Sequence, residues 1–322
     1  MISCLTDYIG LRDVTSSPDS GRYVNELPGL STDMFELSRK SESYDLETSW
    51  ADVERRAIRK LEADLNRWAV KYFRNYSYID NEVTGQNDNN TAIATGDTYA
   101  GWLFSGTHQY YKNLKLIIPW VEIHSAGTVT GGTLRIFNGA TGEVLDSITY
   151  NAVAGINRIT INKEYPTWKY PYIFIAYDES EITTIKATPL PFSGLDVNEK
   201  RVAKATTPTK GNLSSAGSGG QGLVVCFNLN CSLDNFVCQR RKLFEEPYMY
   251  LLGSEFAQEV VHSNRISQYT LLSREDAIEL REDLRKEYTE MINGVLTSLV
   301  VDYSNDYCFK CDREVNYKPL LP

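Results

Sequence analysis

The run TLRIFNGATGEVLDSITYNAVAGINRITI, residues 133–161, decides the fold class. In TLRIF, Leu134 and Ile136 fall on one face and Arg135 on the other; in RITI, Ile159 and Ile161 oppose Thr160. A period of two is that of a strand with one buried face. The interruptions NGATGE and NAVAG carry the residues that turns require. Working outward, YKNLKLIIPWVEIHS (111–125) and YPYIFIAYDE (170–179) read as further strands, with SAGTVTGG and YPTWK between them and their neighbours. YIFIA (172–176) is apolar on both faces, as a central strand would be. Short strands at this spacing predict an antiparallel β-sandwich over 100–190.

The flanks have a helical period. In SWADVERRAIRKLEADLNRWAVKYF (49–73), Trp50, Val53, Ala57, Leu61, Leu65, Trp68 and Tyr72 recur every three or four positions, with Glu54, Arg55 and Arg59 elsewhere. Thr48 or Ser49 is placed to cap it. A helix is expected over 246–262, with Pro247 in its first turn. A longer one lies in 271–300, starting at Ser273, with Ile278, Leu284, Tyr288, Val295 and Leu299 along one face. The fold class expected is α+β: helical N- and C-terminal segments form one unit, with the sandwich inserted between them. The divisions are an extended arm at 1–45, a helical segment at 46–80, the sandwich, a Gly/Ser/Thr-rich linker at 200–222, and a C-terminal helical segment at 223–322 with a cysteine-bearing tail.

A chain of 322 residues with 42% hydrophobic and 23% charged residues is globular, and 21 tyrosines suit β structure and flat contact surfaces. The net charge of −9 argues against broad nucleic-acid binding, because ERRAIRK and QRRK are the only basic clusters. The opening MISCLTDYIGLRD has no basic region before a long apolar run, and no apolar stretch approaches membrane-spanning length. A cytosolic setting is expected, with reduced cysteines as the default.

Five of the six cysteines lie in CFNLNCSLDNFVC (226–238) and DYCFKC (306–311). Cys308 and Cys311 have knuckle spacing, whereas Cys226, Cys231 and Cys238 are too loosely spaced to make a second knuckle. Structural zinc on these five, free packing cysteines and disulfides all remain open. Any zinc would clamp the tail and not catalyse, since an all-cysteine site has no open position. No other cofactor is expected.

No catalytic constellation emerges. His108, His124 and His262 are scattered, and neither a metalloprotease helix motif nor a nucleophile elbow is present. GSGGQG lacks the lysine of a phosphate cradle. Asp178, Glu179 and Glu181 crowd a strand end and read as a solvated loop. Among the aromatics of EYPTWKYPY, Trp168 is the best interface candidate. The expectation is a protein that binds or assembles and is not an enzyme.

CLTDYIGLR (4–12), SGRYVNELPGLS (20–31), CSLDNFVCQRRKLF (231–244), YLLGSEFAQE (250–259), SNRISQYTLLSREDAIELREDLRKEY (263–288) and the terminal CFKC resemble structural proteins of Bacteroides-infecting tailed phages and prophages, including the crAss-like group. The middle of the chain carries no such resemblance. RDVTSS after IGL departs from relatives that have a further cysteine there, which weakens any metal site needing the arm. The resemblance implies a virion ring or adaptor protein at the head-to-tail connection or tail, assembled in host cytoplasm. Its implied partners are copies of itself (a dodecamer by analogy), the portal and neighbouring neck or tail rings. DNA would pass through the lumen without sequence recognition, and no membrane would be involved. It assigns assembly contacts to the arm (Tyr8, Leu11, Tyr23, Leu27, Leu30) and the last helix (Leu284, Tyr288). The rivals are a carbohydrate-binding module, which needs an aromatic-rimmed groove, and a glycan-cleaving tail enzyme, which needs paired carboxylates in a cleft.

Overall fold

The computed structural model describes residues 2–38, 45–73, 77–87, 91–93, 98–105, 113–189, 200–215, 222–263, 274–302 and 308–309. It contains helices and antiparallel sheets, an α+β protein, in two compact units. One unit joins the chain ends, Met1–Arg74 with Phe236–Pro322; the other is the continuous stretch Asn75–Asn235.

The discontinuous unit is helical: α1 (Thr32–Ser38), α2 (Leu46–Tyr72), most of α3 (Leu233–Gln239), α4 (Arg241–His262) and α5 (Arg274–Asp302). Helix α2 begins three residues before the expected start. Asp45 caps it, accepting a hydrogen bond from the Thr48 amide at 2.7 Å, so Thr48 lies inside the helix. The buried stripe of α2 is wider than expected and includes Glu54 and Ile58. Helix α4 starts at Arg241, five residues before the expected position, so Pro247 is inside the helix and buried. Its packing covers nearly the whole circumference, from Phe244 to Val261. On α5 the buried positions are Ala277, Leu284, Tyr288, Ile292, Leu296 and Leu299; Ser273 falls outside the described residues.

The N-terminal arm is part of this unit's core. Ile2, Leu5, Ile9, Leu11 and Val24 are buried, and two short 3-10 turns shape the backbone around them. Tyr8 donates to Glu245 of α4 at 2.9 Å, Arg22 reaches the same carboxylate at 3.4 Å, and Arg241 pairs with Asp19 at 3.2 Å.

The continuous unit comprises β1 (Ser77–Val83), β2 (Gly85–Gln86), β3 (Tyr99–Ser105), β4 (Leu114–Ser125), β5 (Val129–Asn138), β6 (Val144–Ala152), β7 (Gly155–Pro166), β8 (Tyr172–Asp178), β9 (Thr188–Pro189), β10 (Lys200–Ala205), β11 (Ser214–Ser215) and β12 (Leu223–Cys231). Its sheets have the orders β1-β12-β4-β7 and β11-β10-β3-β8-β5-β6, with a small β2-β9 pair. β8 is flanked by β3 and β5, consistent with its two apolar faces. Phe104 of β3 meets Phe227 of β12 at 5.1 Å, and the Trp102 indole donates to the Leu223 carbonyl at 2.7 Å, so the two larger sheets touch.

The expected boundaries of this unit are too narrow. β10 and β11 occupy the supposed linker, and β12, placed by sequence in the helical segment, lies inside the four-stranded sheet. LVVCF followed by alternating Asn228, Leu229, Asn230 and Cys231 is itself a strand pattern.

Candidate functional site

α2 and α5 each pack on α4 but barely on each other. The gap between them is a groove of about 830 Å³. Leu251 and Ser254 of α4 form its floor with Ile292 and Leu296, all buried. Lys60, Arg67 and Trp68 stand on the α2 wall and Arg285 on the α5 wall. The α2 wall runs from Lys60 to Tyr72, roughly 18 Å at the helical rise.

A hydrogen bond crosses the gap: the Tyr288 hydroxyl donates to Asp64 at 2.8 Å. Burial, then that bond and the Asp64 charge, push the tyrosine pKa above its ordinary value. Arg67 lies 3.5 Å from Asp64, and Lys60 pairs with the buried Glu255 of α4. Arg285 is exposed and has no ion-pair partner among the described residues. The Trp68 indole N–H is buried in the wall without a hydrogen-bond acceptor. On its other side, Trp68 joins an aromatic cluster with Phe73, Phe236 and Phe309; it stacks on Phe236 at 5.8 Å. The groove thus has an apolar floor, with Lys60 and Arg67 each paired to a carboxylate and Arg285 exposed on the α5 wall.

Of the residues that sequence assigned to subunit contacts, Tyr288 lines this groove and the others do not. Leu27, Leu30 and Leu284 converge on Gly253 of α4, where a Cβ would come within 2.8–3.2 Å of their methyl groups. Tyr8, Leu11 and Tyr288 are also buried within the chain. All six are buried in the chain as it stands alone. Tyr23 is half-buried beneath the Arg12 guanidinium, and Trp168 is half-buried.

The cysteine expectations change as well. Cys4 is disulfide-bonded to Cys238, and Cys231 and Cys308 are likewise disulfide-bonded. Disulfide sulfur is not the thiolate that zinc requires, so Cys231, Cys238 and Cys308 do not form the expected ligand set in this state. Reduced cysteine survives at Cys226, whose thiol is buried and pushed up in pKa by that burial; Cys311 lies outside the described residues. Among the described residues no group of three or more His, Cys, Asp or Glu could hold a metal ion.

Compared with family models, curated proteins and solved structures, the chain matches none.

The remaining sequence candidates have structural partners. Asp178 accepts from Ser180, Glu179 is buried against Thr98, and Glu181 accepts the Thr133 amide at 2.7 Å. Tyr165 is buried, and its hydroxyl donates to Asp146 at 2.7 Å. His108 lies outside the described residues, and His262 is exposed at the end of α4. Among the described residues, no helix is long and apolar enough to cross a membrane.

Sequence reasoning missed the groove because it read the two long helices only as packing faces, and such faces do not show a gap between them. It also missed Glu54, which is only 4% exposed. Its Oε1, the Trp50 indole N–H and the Tyr248 hydroxyl are all buried without a well-aligned hydrogen bond, although the indole lies near enough to the carboxyl to act on its charge. Burial, then the nearby Asp7 carboxylate, raises the Glu54 pKa to about 8. The signal was available: Glu54 is four residues after Trp50 and four before Ile58.

Proposed function

We propose that the chain is a virion structural protein, a ring or adaptor subunit at the head-to-tail connection or tail of a Bacteroides-infecting tailed phage. It assembles with copies of itself around the DNA channel and contacts the portal and neighbouring rings. In this reading the two larger sheets form an antiparallel sandwich inserted into a helical unit, and the helical unit carries the assembly role. An acidic lumen, on a chain of net charge −9, would keep passing DNA from sticking.

The observation that supports the reading is where the resemblance falls. The runs at 4–12 and 20–31 lie against those at 231–244 and 250–259 through the Cys4–Cys238 disulfide and the packing of Leu27 and Leu30 on Gly253. Segments over two hundred residues apart thus build one unit, whereas the middle of the chain, which carries no resemblance, folds as the other.

Native mass spectrometry and negative-stain electron microscopy of the purified chain test it. The expected result is a closed ring, on the order of twelve copies by analogy. A chain that forms no ring alone and none with a portal preparation is not this kind of subunit.

A further inference from the structure

We propose that strand β6 pairs antiparallel with β6 of a second copy of the chain, about a two-fold axis at Thr149, joining the two six-stranded sheets into one.

The edges of the two larger sheets single out β6. An edge strand leaves a row of backbone N–H and C=O groups unpaired, and most edges are blunted against pairing. β7, at one edge of the four-stranded sheet, exposes Arg158 and Lys163 and has an extra residue beside the left-handed Asn162. β1, at the other edge, is broken by two register shifts and by the left-handed Asn81. β11, at the far edge of the six-stranded sheet, is two residues long. β6 runs from Val144 to Ala152 without lysine, arginine, proline, glycine or a left-handed residue. Its one irregularity is Leu145, an extra residue between Asp146, which faces Ile136, and Val144, which faces Phe137. Its single acid, Asp146, is taken up by Lys163 at 2.5 Å and by the Tyr165 hydroxyl at 2.7 Å, so no bare charge repels a partner strand.

The strand is complementary to itself. With Thr149 opposite its own copy, Ser147 faces Asn151, Ile148 faces Tyr150, and Leu145 faces Val153. A hydroxyl pair at the axis and a β-branched residue against an aromatic are both favourable across strands. Asp146 faces Ala152, so like charges do not meet. Centring on Ser147 would set Leu145 against Thr149, and centring on Ile148 would set it against Asn151. Ser147, Thr149 and Asn151 are exposed, which leaves the side chains about the axis open to a partner.

The exposed apolar side chains follow the same symmetry. Val144, Val153 and Ile156 are three of the six large ones among the described residues, and they bracket β6 at its two ends. Antiparallel pairing brings the Val144 end of one copy to the Val153 end of the other. A net charge of −9 opposes self-association in general, but residues 144–157 hold a single charged side chain, the paired Asp146. A like chain is therefore admitted here. The contact is isologous and closes at two copies, unlike the heterologous contact that a ring requires, and it does not rest on the assembly reading.

Sedimentation equilibrium on the full chain, below the concentration of larger assemblies, tests the pairing with Thr149→Lys and Thr149→Glu. Thr149 is exposed, so both variants should keep the wild-type circular dichroism and melting temperature. The wild type is expected to dimerise reversibly. Each variant sets like charges opposite each other at the axis and is expected to weaken the dimer about tenfold or more. An equimolar mixture should recover one-to-one dimers, because lysine then faces glutamate. Variants that dimerise as tightly as the wild type overturn β6 as the contact. A mixture no tighter than either variant alone overturns the axis at Thr149, and a wild type that stays monomeric at high micromolar concentration overturns the pairing outright. Thr149 lies in the continuous unit, so the absence of a ring counts against the assembly reading alone.

Discussion

At Glu54 a carboxylic acid is held where ionisation is disfavoured. Burial is the main cause, and the Asp7 carboxylate adds to it; the Asp7 amide and the Trp50 indole offset only part. The pKa rises from 4.5 to about 8, so the folded protein keeps a proton that the unfolded chain releases. The stabilisation is full below pH 4.5, shrinks as pH rises, and is gone above about 8. Across that window the loss is on the order of a few kcal/mol. Melting curves from pH 5 to 9 should show the wild type weakening with pH, and Glu54→Gln should flatten the slope. Parallel curves for the two proteins would mean that Glu54 is ionised in the fold. Sequence reasoning places Glu54 off the buried face because an acid is expected in solvent, and a helical period says nothing of the charge state a buried carboxyl takes.

At the scale of elements, two helical glycines make opposite predictions. Gly294 of α5 is exposed, and a Cβ there would meet nothing within 4 Å. Gly294→Ala should stabilise the chain by about 0.5–1 kcal/mol, because alanine loses less backbone freedom in a helix. Gly253 of α4 is the contact point for Leu27, Leu30 and Leu284. Gly253→Leu should cost about 1–3 kcal/mol or more through overpacking, despite leucine's better helix propensity. Urea denaturation of both variants decides; stabilisation at both sites would refute the close packing at Gly253. The helices and most central strands were readable because their period is local. β12 was harder, since its cysteines invited a chemical reading of residues whose alternation is that of a strand. The groove was unreadable for a related reason: a stripe shows that a face is buried, not that two helices will splay across a third.

For the whole molecule, the two ends of the chain fold into one unit. Sequence offered helices at both ends, and hence the expectation that they pair, but nothing local in Cys4 names Cys238 as its partner. The bond joins residues separated by 234 positions, with Cα atoms 5.6 Å apart. Closing so long a loop removes much of the unfolded chain's freedom, while the folded arm is already fixed by Tyr8, Asp19 and Arg22. The staple should therefore act mainly on the unfolded state, contributing about 2–4 kcal/mol. Cys4→Ala with Cys238→Ala isolates it, because a reducing agent would also open the disulfides of Cys231 and Cys308. The double variant should retain its helical signal at low temperature and lose it several degrees earlier than the oxidised wild type. Adding reductant should then bring the wild type down at least to the variant's melting temperature. If all three samples melt together, the arm is held by its packing and ion pairs alone, and the covalent closure contributes nothing to the unit's stability.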